Sequence, residues 1–397
     1  MELKLDVERW RQRRGMARLL DALGDDEGLT RYVGGAVRDD LLDLPVSDVD
    51  LASRLRPGEL VERLQAAGIK AVPTGIEHGT VTAVSDGHPY EITTLRRDIE
   101  THGRHATVAF TDDWREDAAR RDFTMNALMA DPVTGEIFDY FGGLDDLERR
   151  HVRFIGDPFE RIAEDHLRIL RFFRFHARFG RGEPDSEALE ACTRRSNDLM
   201  ALSRERIADE LLKLLAVDNP SPTVRVMLER AILKPVLPEI EASGTDSLER
   251  LVGAERQAGM APEALRRLAA LIPREPGTAA SIAARLKLSN RARKRLTCAA
   301  LPEIAADPKV TAYREGVECA VDRLLLAGRT PEAQQLAKWT PPRLPIGGGE
   351  LIRRGLKEGP AVSGTLRTIE DRWIEQGFPS GPEFEAIVAE ALAETLR

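Results

Sequence analysis

A chain of 397 residues, 42% of them hydrophobic, has material for two to four domains with real cores. Aromatics make up only 5%, and the formal charge of −8 excludes a uniformly basic nucleic-acid binder while leaving room for a local basic stripe. The three cysteines, Cys192, Cys298 and Cys319, form no CxxC pair, so neither a disulfide framework nor a zinc site is expected.

No apolar run approaches the roughly 20 residues of a membrane span. The Arg-rich stretch 1–28 carries Glu2, Asp6 and Glu8 and no apolar signal core, so it reads as an amphipathic N-terminal helix in a cytoplasmic protein. Residues 29–33 read as a strand, Gly34-Gly35 as a turn, and 36–44 as a helix stopped by Pro45. A second strand is expected over 49–52. A hairpin is expected from 80–84 and 90–95 about Asp86-Gly87, and a further pair from 127–130 and 136–140 about Thr134-Gly135. Beyond Asp157-Pro158 the strand signals fade. Residues 159–179 read as one helix, with Ile162, Ile169, Leu170 and Phe173 at helical spacing, and 204–216 as another. Asn219-Pro220-Ser221-Pro222 reads as a joint, followed by helices with loops near Gly244, 273–277 and 341–349. The expected fold class is α+β: a mixed head over 29–150, a helical neck over 151–218 and an all-helical remainder over 219–397.

The densest chemical signal is Gly34-Gly35-Ala36-Val37-Arg38-Asp39 followed by Asp48-Val49-Asp50. In a strand, Asp48 and Asp50 would share a face. Two carboxylates that close repel unless a cation lies between them, and Mg2+ favours a few carboxylates plus phosphate oxygens. The glycines let backbone approach a phosphate, and Arg38 offers a forked donor to it. Glu91, on the second hairpin strand, is the candidate third acid, able to assist a metal or take a proton. Arg120, Arg121, Asp122 and Asn126 suit a triphosphate and a ribose. In Glu164-Asp165-His166-Leu167-Arg168, Asp165 and Arg168 stand i and i+3 apart, and on a helix they would share a face that Arg171 and Arg174 extend.

Taken together, these segments resemble a known family. GGAVRD, DVD, HGTV at 78–81, EITTLR at 91–96, RRDFTMNALM at 120–129, DYFGGLDDL at 139–147, EDHLRILRFFRF at 164–175 and SRERIADELLKLL at 203–215 occur in the order seen in bacterial tRNA nucleotidyltransferases, the CCA-adding enzymes of the polymerase-beta-like superfamily. The resemblance is dense over 29–216 and fragmentary beyond. It implies a head with a five-stranded sheet, then neck, body and tail. It further implies Asp48 and Asp50 as metal ligands, Glu164-Asp165…Arg168 as the selector for CTP and ATP, and the 3′ end of tRNA as substrate. Bacterial poly(A) polymerase shares head and neck but usually carries a long basic tail, which this acidic chain lacks. The 97–109 stretch looks close to full length, against a CC-only enzyme, and an A-only enzyme is the other partial variant. A catalytically silent RNA-binding module would need the carboxylates lost, and they are present. All seven histidines lie at or before His176, so the C-terminal HD phosphohydrolase site of some relatives is not expected. Arg291, Arg293, Lys294 and Arg295, in a stretch without acids from Arg285 to Arg295, are the candidate tRNA-backbone contacts.

Overall fold

A computed structural model describes residues 4–102, 105–302 and 304–396, with side chains outside 98–107. Glu2, and Gly103 and Arg104 of the 97–109 stretch, lie outside the described residues. The chain forms two compact units, Met1–Pro238 and Glu239–Arg397.

The first unit holds the strands β1 (Thr30–Val33), β2 (Asp50–Ser53), β3 (Lys70–Gly75), β4 (Thr80–Ser85), β5 (His88–Thr94), β6 (Arg96–His102), β7 (His105–Phe110), β8 (Met129–Ala130) and β9 (Ile137–Phe138). Among the described residues they make one mixed sheet, ordered β3-β4-β5-β2-β1-β8-β9, and a separate β6–β7 ribbon. The five-stranded sheet is there, extended at the β1 edge by the two-residue strands β8 and β9. Among the described strands, β2 and β5 alone pair in parallel. Alternation along β1 divides the core. Tyr32 is buried against Trp10, ring centroids 4.5 Å apart. Val33 points to the other face and packs with Ala52, Leu95, Trp114 and Met129.

The helices of this unit are α1 (Val7–Arg11), α2 (Met16–Leu23), α3 (Gly35–Leu41), α4 (Pro57–Ala66), α5 (Trp114–Ala119), α6 (Gly143–Glu148), α7 (Pro158–Glu164), α8 (Arg168–Phe179), α9 (Ser186–Arg194), α10 (Arg204–Leu215) and α11 (Ser221–Glu229). The expected N-terminal helix is two helices, separated at Gly15, whose φ of 76° lies where glycine is favoured. The expected helix over 159–179 is also two. Asp165 has extended backbone, φ −149° and ψ 107°, and its Oδ1 accepts from the Leu167 N–H at 3.1 Å, so the side chain takes over a backbone donor and starts α8 afresh. On α8, Phe172, Phe173 and Phe175 are buried, each contributing about 1.5–3 kcal/mol, and Phe172 and Phe175 pack around Phe123. The joint expected at residue 219 lies inside this unit: α11 packs on α8, and the division falls after Pro238.

In the second unit the described residues form helices α12 (Ala242–Gln257), α13 (Ala264–Leu271), α14 (Pro276–Arg285), α15 (Asn290–Ala299), α16 (Pro308–Glu315), α17 (Val317–Leu326), α18 (Thr330–Leu336), α19 (Gly348–Arg353), α20 (Pro360–Glu375) and α21 (Pro382–Leu396). Gly244 is not a loop but part of α12, where it lets the helix approach the Leu271 carbonyl: a Cβ there would lie 2.3 Å from that oxygen. The cysteine expectation is corrected in one respect. Packing of α15 against α17 brings Cys298 and Cys319 together, Cα atoms 6.1 Å apart, in a disulfide, while Cys192 is free and buried. No described helix is long and apolar enough to cross a membrane.

Candidate active site

The sheet register aligns the acids. Val33 pairs with Asp50 across β1–β2, and Asp50 pairs with Glu91 across β2–β5, so Asp50 and Glu91 stand side by side on the face that carries α5. Asp48 is not in the strand; it lies in the loop before β2, where the Ser47 hydroxyl donates to its Oδ2 at 3.0 Å. The same-face argument from a strand therefore fails for Asp48, which reaches the site through loop geometry. Both aspartates keep exposed surface. Even so, loss of hydration pushes the Asp50 carboxyl up, and the charges of Glu91 and Asp48 push the same way, with Arg121 opposing. That crowding is what a cation relieves. The donors are all hard carboxylate oxygens. Among the described residues no three His, Cys, Asp or Glu side chains converge into a closed cage. An open, carboxylate-poor set completed by phosphate and water fits a divalent ion of the Mg2+ kind better than a structural metal.

Beside the acids, Gly34 opens α3 with φ 72° and ψ −131°, and a Cβ there would lie 2.8 Å from an Arg121 guanidinium nitrogen. A hollow of about 550 Å3 follows, lined by Gly34, Gly35, Arg38, Arg121, Asp122, Asn126, Asp165, Leu167, Arg168, Arg171, Phe175 and Arg206. Nine of the candidate nucleotide-binding residues thus come together; Arg120 and Arg174 do not line it. Each is tied to an acid that it shares with an arginine of the hollow: Arg120 donates to Asp117 at 2.9 Å, as Arg121 does at 3.3 Å, and Arg174 donates to Glu210 at 2.6 Å, with Arg171 3.7 Å from the same carboxylate.

The arginines in the hollow are held in place. Arg38 is buried, donates to Asp39 and the Asn126 side-chain oxygen, and lies 4.2 Å over the Phe179 ring. Arg171 donates through Nε to Asp122 at 2.9 Å. Burial alone would raise the Asp122 carboxyl, but Arg171, Asn126 and the Phe123 N–H bring it below the usual carboxylate range. Asp122 therefore orients Arg171 rather than standing ready for a ribose.

The expected one-face helix pair, Asp165 and Arg168, is corrected in its setting but kept in its neighbourhood. They flank the break between α7 and α8 and line the same hollow. They are not bonded to each other by side chains. Arg168 donates to Glu164 and the Arg161 carbonyl, and Asp165 accepts from Arg206 of α10 at 2.7 Å. Arg206, Asp117 and Glu210 have no role that the sequence alone reveals, and Glu164, read as part of the selector, holds Arg168. SRERIADELLKLL shows that α10 belongs with the rest, but nothing in it says that Arg206 faces Asp165, 41 residues away.

In the second unit the basic stretch divides. Arg285 is paired with Glu239, and Arg295 with Asp322 and Glu263, at 2.6, 2.7 and 3.1 Å. Arg295 is thus a packing residue rather than a surface cation. Arg291, Arg293 and Lys294 are exposed, Arg291 within 3.3 Å of Glu318.

Comparison with known proteins decides the family. Residues 30–153 match the Poly A polymerase head domain, and 183–243 match the probable RNA and SrmB-binding site of polymerase A. Over 385 residues the chain is 32% identical to a mitochondrial CCA tRNA nucleotidyltransferase 1 of Mus musculus, covering 92% of this chain and 87% of that one. This chain belongs to the CCA-adding tRNA nucleotidyltransferase family. A CCA-adding enzyme of Limosilactobacillus fermentum is 32% identical over 87% of this chain and 88% of its own. The structure of the Bacillus stearothermophilus CCA-adding enzyme in complex with CTP superposes with a TM-score of 0.75 at 25% identity, over 96% of this chain and 98% of that one.

Proposed function

We infer that this enzyme completes or repairs the 3′-terminal CCA of tRNA, adding CMP and AMP units from CTP and ATP without a nucleic-acid template and releasing pyrophosphate. The observation that carries the reading is a hollow lined by an acceptor, Asp165, and a donor, Arg168, and also by Gly34 and Arg121, which adjoin Asp50 of β2. Its support outside the chain is the relatives of nearly full length that bear the name, and the CTP complex of the Bacillus enzyme.

The roles follow from the chemistry of each group. Asp48 and Asp50 would hold Mg2+, which when bound screens the triphosphate and the attacking 3′-oxygen. Glu91, next to Asp50, assists or takes the proton of the 3′-hydroxyl. Gly34, Gly35 and Arg121 face the triphosphate. Arg38, Asp122 and Asn126 form the floor that fixes Arg171. Asp165 has spent two of its roughly four lone-pair positions on Arg206 and Leu167, and the rest remain for a base amine. Cytosine N4 and adenine N6 are donors at that place, whereas uracil O4 and guanine O6 are acceptors and leave the carboxylate unmatched. Arg168 keeps its Nε and second terminal nitrogen for cytosine O2 and N3 or adenine N1. Head, neck and helical remainder would then catalyse, select and hold tRNA, in the cytoplasm where tRNA matures.

The test is extension of a tRNA lacking its 3′ end, with Mg2+ and each nucleoside triphosphate alone and together, followed by sequencing of the ends. Ends finishing in CCA are expected. Runs of A would favour the poly(A) polymerase reading, and ends stopping at CC, or extended only from CC, a partial enzyme. Asp50→Ala should abolish addition with unchanged thermal unfolding; near-normal turnover in that variant would remove the metal assignment.

A further inference from the structure

The N-terminal stretch 1–29 precedes the matched head domain and contributes no residue to the hollow or to the acids on the sheet. It is fastened to the loop that carries Asp48. The turn between α1 and α2 is held to the sheet: the Tyr90 hydroxyl donates to the Arg14 carbonyl, and the Ser85 hydroxyl to the Gly15 carbonyl, each at 2.7 Å. Trp10 is fully buried, donates through Nε1 to Asp40 of α3 at 3.2 Å, and Arg9 pairs with the same carboxylate. On this fixed base the Arg13 guanidinium lies 5.8 Å from the Trp10 ring centre and reaches 33 and 34 residues ahead. Its two terminal nitrogens donate to successive carbonyls, Val46 at 2.7 Å and Ser47 at 3.3 Å. Ser47 in turn donates through its hydroxyl to Asp48 Oδ2 at 3.0 Å.

The need for such a brace follows from the backbone. Asp50 and Glu91 are placed by sheet register, but residues 44–49 have no regular structure, so no ladder sets Asp48. A forked donor across two adjacent carbonyls fixes a peptide in both position and tilt, which a single ammonium cannot do. We propose that Arg13 is a positioning residue for nucleotidyl transfer: it braces the successive 46–47 and 47–48 peptides so that Asp48 is preset beside Asp50 for the metal ion. The inference rests on the reading of Asp48 as a metal ligand and adds to it the N-terminal segment as part of the catalytic frame.

Metal affinity tests it directly, without turnover. Mn2+ is titrated into the CTP-bound protein and free Mn2+ is followed by electron paramagnetic resonance. Supporting partners of metal ligands typically govern affinity by 10-fold or more, so Arg13→Gln should weaken Mn2+ binding about 10-fold. Arg13→Lys should fall between it and the parent. Ser47→Ala, an exposed change that leaves folding alone, should weaken it about 3-fold through the missing hydroxyl bond. The concentration of Mg2+ giving half-maximal addition should rise in the same order, while the preference for CTP over UTP stays put. Mn2+ affinities of Arg13→Gln and Ser47→Ala equal to the parent would overturn the proposal, as would a lower melting temperature for Arg13→Gln with unchanged Mn2+ affinity. If Arg13→Gln does not fold, Ser47→Ala decides. Asp48→Asn separates the two layers. If it too keeps Mn2+ affinity, the metal assignment fails; if it alone loses affinity, only the role of Arg13 fails.

Discussion

Asp165 and Arg168 show how much one residue's setting matters. Sequence spacing puts them on one helical face, yet they meet because the helix breaks at Asp165 and Arg206 draws its carboxylate into the hollow. Apolar spacing cannot reveal a short break when Ile162 and Ile169 are both buried on either side of it. Another buried group on α8 has a measurable consequence. Burial holds the His176 imidazole below its ordinary value, His151 adds to this, and Glu183 and the Gly182 backbone oppose it. In the unfolded chain that imidazole takes up a proton as pH falls through about 6.5. In the folded chain it does so only at lower pH. The unfolded state therefore binds more protons in that window, so stability falls as pH drops from about 7 and levels off below the folded value. His176→Gln should lose part of this slope. Melting temperatures of parent and variant between about pH 7.5 and 5.5 check it, and parallel curves would show that His176 contributes nothing.

At the level of elements, β1, β2, β4, β5, β8 and β9 were legible beside their turn signals, and β3, β6 and β7 were not. β3 escaped because Pro73 interrupts it, and a proline is tolerated there because β3 is an edge of the sheet. β6 and β7 make a ribbon apart from the sheet, and no turn pair in the sequence marks it as a hairpin. On α15 the charges were legible but their partners were not, since Asp322 lies 27 residues from Arg295. The test of tRNA binding therefore leaves Arg295 alone. Arg293→Ser with Lys294→Ser should weaken tRNA binding at low salt and flatten the dependence of log affinity on log salt by about 0.9 or less for each phosphate no longer neutralised. Unchanged affinity and slope would make these residues ordinary solvated cations. The same helix carries the disulfide to α17, closing a loop with a sequence separation of 21. Loop-closure entropy gives such a bond about 3 kcal/mol. Denaturant unfolding with and without dithiothreitol should show a lower midpoint on reduction, and coincident curves would contradict that figure.

Over the whole molecule, net charge was the least informative number. A chain at −8 has acids such as Asp322 and Glu255 buried in pairs with Arg266, so its sum says little about any one surface. Fold class and the site's residue types were legible because several ordered segments agreed. Asn219-Pro220 opens α11, with Ser221 and Thr223 buried, and the compact units divide after Pro238. The central claim is that side chains of this enzyme, not a nucleic-acid strand, choose the incoming base. Asp165→Ala, assayed with all four nucleoside triphosphates on tRNA lacking its 3′ end, tests it most directly. The account predicts lower kcat/KM for CTP and ATP, by about 100-fold for the loss of a buried pairing, and a relative gain for UTP or GTP. Undiminished preference for CTP and ATP would place the selector elsewhere and contradict the account.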